Sequence, residues 1–282
     1  MTGRVVAQPG TSHHSKMDGP ARQQPTTRVI PPAPEQAFSQ PARSHPVLRS
    51  PTQQHGDDIA VLILVELKPA AWWWGWSRIV LRHWPLRHER GLRFAKALGS
   101  GHDGGFGLRP SSSRQGLFAV FASEADASAF VATSSIVEGY RARARELCIA
   151  TLRATSSRGY WGGQSIGVTA EPRVGGPVAS LTRASIRPRR AFAFWRRSPQ
   201  TEHSLQRAPG CRLAVGLGEA PLLRQATFSV WDDQAAMDAY ARSGEHQEAI
   251  RAAQREHYFS ESMFVRFTPL QITGTWHGRR HG

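Results

Sequence analysis

Cysteine is scarce in this sequence of 282 residues, which contains only Cys148 and Cys211. Two thiols in apolar, strand-like segments argue against a disulfide scaffold and against a cysteine-ligated zinc site. The chain also lacks the apolar core of a signal peptide, and no run approaches the roughly 20 apolar residues of a membrane-spanning helix. These absences predict a cytoplasmic protein with buried thiols, and they leave peripheral contact with a membrane open.

Acidic residues are outnumbered, because 36 Lys and Arg against 21 Asp and Glu give a formal net charge of +15, nearly all of it from arginine. A basic balance suits nucleic acid, an anionic membrane surface or acidic ligands. The arginines are scattered, however, and neither a nucleic-acid-binding motif nor a long basic helix is present. We therefore expect no nucleic-acid partner.

Large apolar residues are rare in the first 54 positions, which are rich in Pro, Gln, Ser, Thr, Arg and His. Such a composition cannot bury enough surface to offset the entropy of ordering, so we predict a disordered tail. Its histidines, including His13, His14 and His45, lack any metal-ligand spacing and are expected to be solvated.

A continuous apolar run over 58–67 predicts a buried strand. The tryptophan-rich segment that follows, 71–84, reads as a helix, and its stripe contains Trp73, Trp76, Val80 and Trp84. Such a stripe suits a core helix and an interfacial helix at lipid headgroups about equally well.

A second helix is predicted over 89–98, ending at Gly99. The glycine-rich loop over 99–107 lacks the Lys-Ser/Thr ending of a phosphate-binding loop. Further on, Ser123 is the expected cap of another helix, with Glu124 and Asp126 in its first turn.

An internal repeat is the most informative signal in the chain. The stretch 227–240 parallels 117–130, and Gly274-Thr-Trp276-His-Gly278 parallels Gly159-Tyr-Trp161-Gly-Gly163. Each unit reads as strand, helix, strand, strand, helix, strand, which is the order of the ferredoxin-like split unit. Pairing the two sheets would cover their bare faces.

We therefore predict an α+β fold in which two fused ferredoxin-like repeats form a pseudo-dimer of the dimeric α+β-barrel type. The predicted domains are the tail over 1–54, the first repeat over 55–164 and the second repeat over 165–282. The two copies are expected to enclose an apolar pocket.

The stretch 175–187 predicts a turn followed by a strand. Side chains alternate along a strand, so Arg183 and Arg187 fall on one face together with Leu181. A solvated face explains two arginines slightly better than an anionic group held against the sheet does.

His246 marks a difference between the repeats, because the first half has no histidine near the matching place. It lies at the start of a predicted helix, on the same stripe as Ala249 and Ile250. The helix dipole there disfavours imidazolium, and neutral imidazole is the form that binds iron. A hydrogen-bonded structural histidine is the simpler alternative. No histidine or carboxylate is spaced with it as a non-haem iron triad requires.

Several motifs in order from about residue 59 to 278 resemble the spheroidene monooxygenase family of carotenoid ketolases. These motifs include Gly176-Pro-Val-Ala-x-Leu-Thr-Arg-Ala-x-Ile-Arg187, Gln225-x-Thr-Phe-Ser-x-Trp231, His246-x-x-Ala249-Ile250, Arg266-Phe267 and Gly274-Thr-x-x-Gly278. Each motif is weak alone, but their joint order is specific. Tyr258 departs from the family, which usually has Trp there, and the tail is extra, so another lipophilic substrate remains open.

The resemblance implies a haem-dependent oxygenase that inserts oxygen into an acyclic carotenoid, giving a hydroxyl and then a keto group. It implies haem b, O2 as co-substrate and a ferredoxin-type electron donor. It also implies that His246 is the axial ligand. We infer that Arg183 and Arg187 pair with haem propionates, since guanidinium binds carboxylates bidentately. Arg183 is also our candidate catalytic residue, and Trp231 our further candidate for cofactor binding. A non-catalytic ligand-binding barrel and a cofactor-free barrel monooxygenase are the alternatives.

Overall fold

The computed structural model describes residues 58–81, 86–101, 110–173, 175–195, 205–220, 223–243, 251 and 255–281. The predicted tail over 1–54 lies outside them. The strands are β1 (Ile59–Leu67), β2 (Leu92–Gly101), β3 (Pro110–Phe121), β4 (Ala144–Gly159), β5 (Val178–Ile186), β6 (Cys211–Ala220), β7 (Arg224–Trp231), β8 (Phe259–Trp276) and β9 (Arg279–His281). The helices are α1 (Trp72–Leu81), α2 (Glu124–Thr133), α3 (Ser135–Arg143), α4 (Ala191–Trp195) and α5 (Gln234–Ala241).

The described strands form one antiparallel sheet in the order β4-β1-β3-β2-β6-β7-β5-β8-β9, and β4 also pairs with β8. That last pairing closes the first eight positions of the order into a barrel. The fold is therefore α+β, as predicted. Every residue of β1 is buried, because one side of this strand faces the barrel interior and the other faces helices.

Each half of the sheet has the strand order of the ferredoxin-like unit, β4-β1-β3-β2 in the first half and β8-β5-β7-β6 in the second. The halves also match in detail. Gly159 and Gly274 both have positive φ, and a Cβ atom on either would lie about 2 Å from a carbonyl oxygen of the other long strand, that of Ser262 or Leu147 respectively. Gly274 lies 115 residues after Gly159, and Ser262 lies 115 residues after Leu147, so the two contacts are equivalent in the two halves. The duplication and its domain boundaries stay predictions, which this correspondence supports.

The helix predicted over 89–98 is wrong, because this segment is strand β2. Its Ala, Lys and Leu residues favour a helix locally, but Phe94 and Leu98 face the barrel interior while Ala95 faces the helices. Pairing with β3 over the length of the strand outweighs the local preference. The cap at Ser123 is confirmed, since its hydroxyl accepts a hydrogen bond from the backbone N–H of Asp126.

The barrel interior is a continuous apolar core, to which all eight barrel strands contribute. Two tryptophans that follow or end the long strands β4 and β8, Trp161 and Trp276, belong to it and are almost fully buried. An arginine lies over each indole ring, Arg183 over Trp161 at 5.8 Å and Arg114 over Trp276 at 5.8 Å. The described part of the chain thus places an apolar cluster between the two halves, and the expected pocket there stays a prediction.

Candidate functional site: the outer face of the second sheet

The two halves differ most on the sheet faces that point away from the barrel interior. Strand register defines equivalent rows across the four strands of each half. In the first half, the three rows read Ala95–Ala119–Val61–Thr151, Ala97–Leu117–Ile63–Ile149 and Gly99–Gln115–Val65–Leu147. In the second half, the same rows read Ala214–Ser229–Ser180–Arg266, Gly216–Thr227–Thr182–Phe264 and Gly218–Gln225–Ala184–Ser262.

At six of these positions the second half carries a smaller side chain than the first half, as at Ser180, Thr182 and Thr227, whereas Phe264 and Arg266 are larger than their equivalents. Ile63 and Leu117 are buried beneath helices, whereas their equivalents Thr182 and Thr227 are only half-buried. We call the three rows of the second half the outer floor. Because strands lie about 4.8 Å apart, the outer floor is roughly 14 Å wide.

Hydroxyl groups of the outer floor bond to one another. The Oγ atoms of Ser180 and Ser229 are 2.9 Å apart, and both residues are buried. The indole N–H of Trp231, at the edge of the outer floor, donates to Ser229 Oγ at 2.9 Å. These bonds satisfy polar groups that would otherwise be costly to bury.

Arg266 is the positive charge of the outer floor. One of its terminal nitrogens lies 3.3 Å from Asp238 Oδ1 of α5, and its guanidinium stacks 5.7 Å from the Phe264 ring. Its Nε is buried and lacks a hydrogen-bond partner among the described residues. The equivalent residue in the first half is Thr151, so this arginine is specific to the second half.

The helical cover over the outer floor is slight in the described part of the chain. In the first half, Ala71 just before α1, Ala127 and Phe130 of α2, and Val137 and Tyr140 of α3 pack on the sheet in one large cluster. In the second half, the cluster on this side is small, and its buried members are Leu205, Trp231 and Met237. The chain runs from α5, which contributes Met237, to β8 through residues 242–258, and His246 belongs to that connection but lies outside the described residues.

Arg183 lies elsewhere, on the inner face of the same sheet. The solvated face that we expected for it is wrong, because its side chain is only 3% exposed. Its guanidinium bonds Glu219 at 3.2 Å and also Glu261, while Lys96 lies 3.6 Å from Glu219. The backbone N–H groups of Gly162 and Gly163 donate to Glu261 at 3.0 and 3.1 Å. This cluster anchors the turn after Trp161 to the end of the barrel.

Both carboxyl groups of this cluster are held ionised. Burial raises the pKa of Glu219, but the Trp161 indole and the positive charges of Lys96 and Arg183 more than offset it, so the net pKa lies below its usual value. At Glu261, burial raises the pKa, while the backbone N–H groups of Gly162 and Gly163 and the charge of Arg183 lower it. The net pKa of Glu261 is again below its usual value. Two carboxylates already balance the charges of Arg183 and Lys96, while the Nε atom of Arg183 is buried without a hydrogen-bond partner in the described part of the chain.

Of the sequence-predicted site residues, the three that the structure describes, Arg183, Arg187 and Trp231, do not meet in one place. Arg187 follows β5, is exposed, and donates from Nε to the carbonyl of Phe259 at 3.2 Å. Trp231 is buried at the edge of the outer floor, and Arg183 is on the opposite face of the sheet. The arginine that does share a face with Trp231 is Arg266. In the sequence Arg266 is visible only as part of the Arg266-Phe267 motif, and strand register is what places it on the outer floor opposite Ser180.

The outer floor is a surface that could hold a haem. It is broad, its side chains other than Phe264, Gln225 and Arg266 are small, and the Nε atom of Arg266 is buried without a partner among the described residues, as is that of Arg183 on the inner face. A flat macrocycle with carboxylate substituents matches these features. The described residues contain no group of three or more His, Cys, Asp or Glu that could hold a metal ion.

Comparison with known proteins gives the family. No protein-family model matches the chain. It is 58% identical to spheroidene monooxygenase of Rubrivivax gelatinosus over 232 residues, which cover 82% of this chain and 90% of that protein. It is 38% identical to spheroidene monooxygenase of Rhodobacter capsulatus, covering 73% and 87%. A solved structure of aldoxime dehydratase with butyraldoxime shares the fold, with a TM-score of 0.50 at 12% identity over 77% of this chain and 81% of that one. The resemblance seen in the motifs is confirmed, and the chain belongs to the spheroidene monooxygenase family.

Proposed function

We propose that this oxidoreductase of the monooxygenase class is haem-dependent, acts on an acyclic carotenoid, and binds its haem over the outer floor. The observation that carries the proposal is the substitution pattern of the outer floor in a chain of this family. Small side chains there remove apolar volume that the first half retains, and Arg266 adds a positive charge beside the cleared area.

His246 is the residue we propose as the axial ligand. It belongs to the connection between α5 and β8, and α5 packs on the same side of the sheet as the outer floor. Haem is commonly held by one histidine in an otherwise apolar site. Arg266, whose Nε is buried, is the residue we propose for a propionate group, in place of Arg183 and Arg187.

The reaction that we propose is a monooxygenation, for which bound haem supplies the activation of O2. One oxygen atom enters a C–H bond of the substrate, the other leaves as water, and two electrons and two protons are consumed. A second round at the same carbon gives a geminal diol, which loses water to leave a ketone. The electrons have to come from outside the chain, and a ferredoxin-type donor is the proposed source.

The residues of this chain contribute positioning and the exclusion of water. The bond between Ser180 and Ser229 uses one of their two hydroxyl hydrogens, and the indole N–H of Trp231 donates to Ser229. An apolar polyene has no group for such donors to recognise. Specificity is therefore expected to come from the shape of the site and from the exclusion of water around it.

An absorption spectrum of the purified, reduced protein tests the proposal. We expect a haem spectrum that is lost in His246→Asn and retained in His257→Asn, which alters an exposed histidine at a position with positive φ that Asn tolerates. Haem retained in His246→Asn would refute the assignment of His246 as the axial ligand. Carotenoid oxygenation by iron-free protein would instead support the cofactor-free alternative, and haem binding without product would support a non-catalytic barrel.

A further inference from the structure

Helix α1 carries an apolar surface that nothing in the described part of the chain covers. Trp73 is 87% exposed, Val80 72% and Trp76 40%, and these three residues recur at the spacing of one helix face. Trp72 and Leu81 extend the same surface, with 38% and 43% exposure. We call these five residues the tryptophan stripe. The predicted core role is therefore wrong for Trp73, Trp76 and Val80, and Trp84, the fourth member of the predicted stripe, lies outside the described residues.

The other side of α1 is firmly docked, so the exposure of the tryptophan stripe does not come from a loosely attached helix. Trp74 packs edge-on against Tyr140 of α3 with ring centroids 5.2 Å apart, and Arg143 lies 4.7 Å from its indole centroid. Gly75 is buried against the sheet, where a Cβ atom would lie 2.2 Å from Leu67 Cδ1 and 2.7 Å from Gln115 Nε2. The docked glycine and Trp74 fix which side of the helix faces outward.

Positive charge surrounds this helix. Arg78 lies on α1 itself, and Arg143 lies over the Trp74 ring of α1. Lys68, just before α1, bonds the carbonyl of residue 142 through Nζ and that of Arg143 through its backbone N–H. The side chain of Arg145 is 73% exposed and pairs with Glu66 at 3.2 Å. Glu138 is the exposed acid of this neighbourhood, 3.8 Å from Arg141. Positive charge is thus in excess beside the tryptophan stripe.

We propose that the tryptophan stripe docks the protein on an anionic lipid bilayer surface, with α1 lying in the plane of the headgroups. Tryptophan beside arginine is the composition that this interface favours, and the positive residues are attracted to anionic headgroups. None of the described helices is long and apolar enough to cross a bilayer. Docking would deliver substrate if the proposed function is right, because a carotenoid partitions into lipid. The docking proposal itself does not rest on the proposed function.

Vesicle flotation tests the docking. We expect the full chain to float with vesicles of 70% phosphatidylcholine and 30% phosphatidylglycerol, more weakly with phosphatidylcholine alone, and less as salt screens the charges. Trp73→Ala with Val80→Ala should lower the bound fraction roughly tenfold, since interfacial affinity scales with inserted apolar area. The matched control is Tyr160→Ala, which truncates an exposed aromatic residue at the far end of β4.

Equal flotation of the double variant and the wild-type protein would overturn the proposal, and so would equal binding to both lipid compositions. Loss of self-association in the double variant, with flotation unchanged, would assign the tryptophan stripe to a contact between copies instead. A haem spectrum measured on the same samples separates this proposal from the proposed function. A variant that keeps haem and turns over detergent-dispersed carotenoid, but not vesicle-embedded carotenoid, has lost docking alone.

Discussion

The hydroxyl of Ser180 lies 2.9 Å from that of Ser229 at the place where the first half of the barrel has Val61 beside Ala119. A buried hydroxyl pair is satisfied, but it contributes less to stability than packed methyl groups do. The second half therefore gives up packing on its outer floor that the first half keeps. Such a sacrifice is typical of a functional site.

Restoring the first-half residues should close the outer floor. We expect Thr182→Ile with Thr227→Leu to raise the melting temperature of the haem-free protein and to lower haem occupancy roughly tenfold, because the added side chains occupy the space. Haem absorbance per protein and thermal unfolding are the measurements. The control is Ile63→Thr, which should cost about 2 kcal/mol of stability and leave haem binding unchanged. Full haem occupancy in the double variant would place the site elsewhere.

Arg266 should matter to haem independently of its ion pair. We expect Arg266→Gln to weaken haem binding, since the propionate partner is lost, and Asp238→Asn to leave it intact. Titration of haem into the two apo-proteins distinguishes them. Equal losses would mean that the Arg266–Asp238 pair, 3.3 Å apart, acts only by holding α5 on the sheet.

Arg183 should prove structural. Arg183→Met leaves the carboxylates of Glu219 and Glu261 without their guanidinium, and breaking a buried pair in this way costs about 3–5 kcal/mol. Urea unfolding should show that loss, while the folded fraction should bind haem normally. Loss of haem at unchanged stability would return Arg183 to the cofactor site.

The same cluster predicts a dependence of stability on pH. The pKa values of Glu219 and Glu261 are lowered on folding, so their contribution is complete above the ordinary glutamate pKa of about 4.3. It is lost as pH falls below that value through the folded-state pKa values, because the unfolded chain then binds more protons. Glu219→Gln should flatten this part of the curve, as measured by urea unfolding from pH 7 to pH 3. An unchanged curve would contradict the lowered pKa of Glu219.

Two glycines of the long strands should be equally intolerant of a side chain. Gly159→Ala and Gly274→Ala each force a Cβ atom to about 2 Å from a carbonyl oxygen at φ values of +83° and +104°. We expect either change to cost more than about 3 kcal/mol or to prevent folding. Gly278→Ala, at φ +71° with nothing within 4 Å, should cost only about 1 kcal/mol. Similar melting temperatures for all three variants would exclude backbone crowding as the reason for the glycines.

The sequence determined the secondary-structure plan because that plan depends on short-range patterns. The apolar run of β1, the cap at Ser123 and the repeated strand-helix-strand order each rest on alternation, capping or local spacing, and each is present in the fold. The family could likewise be recognised, because its motifs keep their order along the chain. The sequence also predicted helix α1, but it did not predict which side of that helix would be covered.

Only the tertiary structure decided which side of each strand faces the core, because that depends on which strands pair. Closure of the barrel through β4 and β8 buries Arg183 with two carboxylates, and pairing with β3 makes a strand of the helix-like segment that contains Lys96. The same closure turns Ser180, Ser229 and Arg266 outward, onto a face that no local pattern distinguishes from a solvated one. Contacts between residues as far apart in sequence as Thr182 and Phe264 set these orientations, and alternation along one strand gives two faces without saying which is inside.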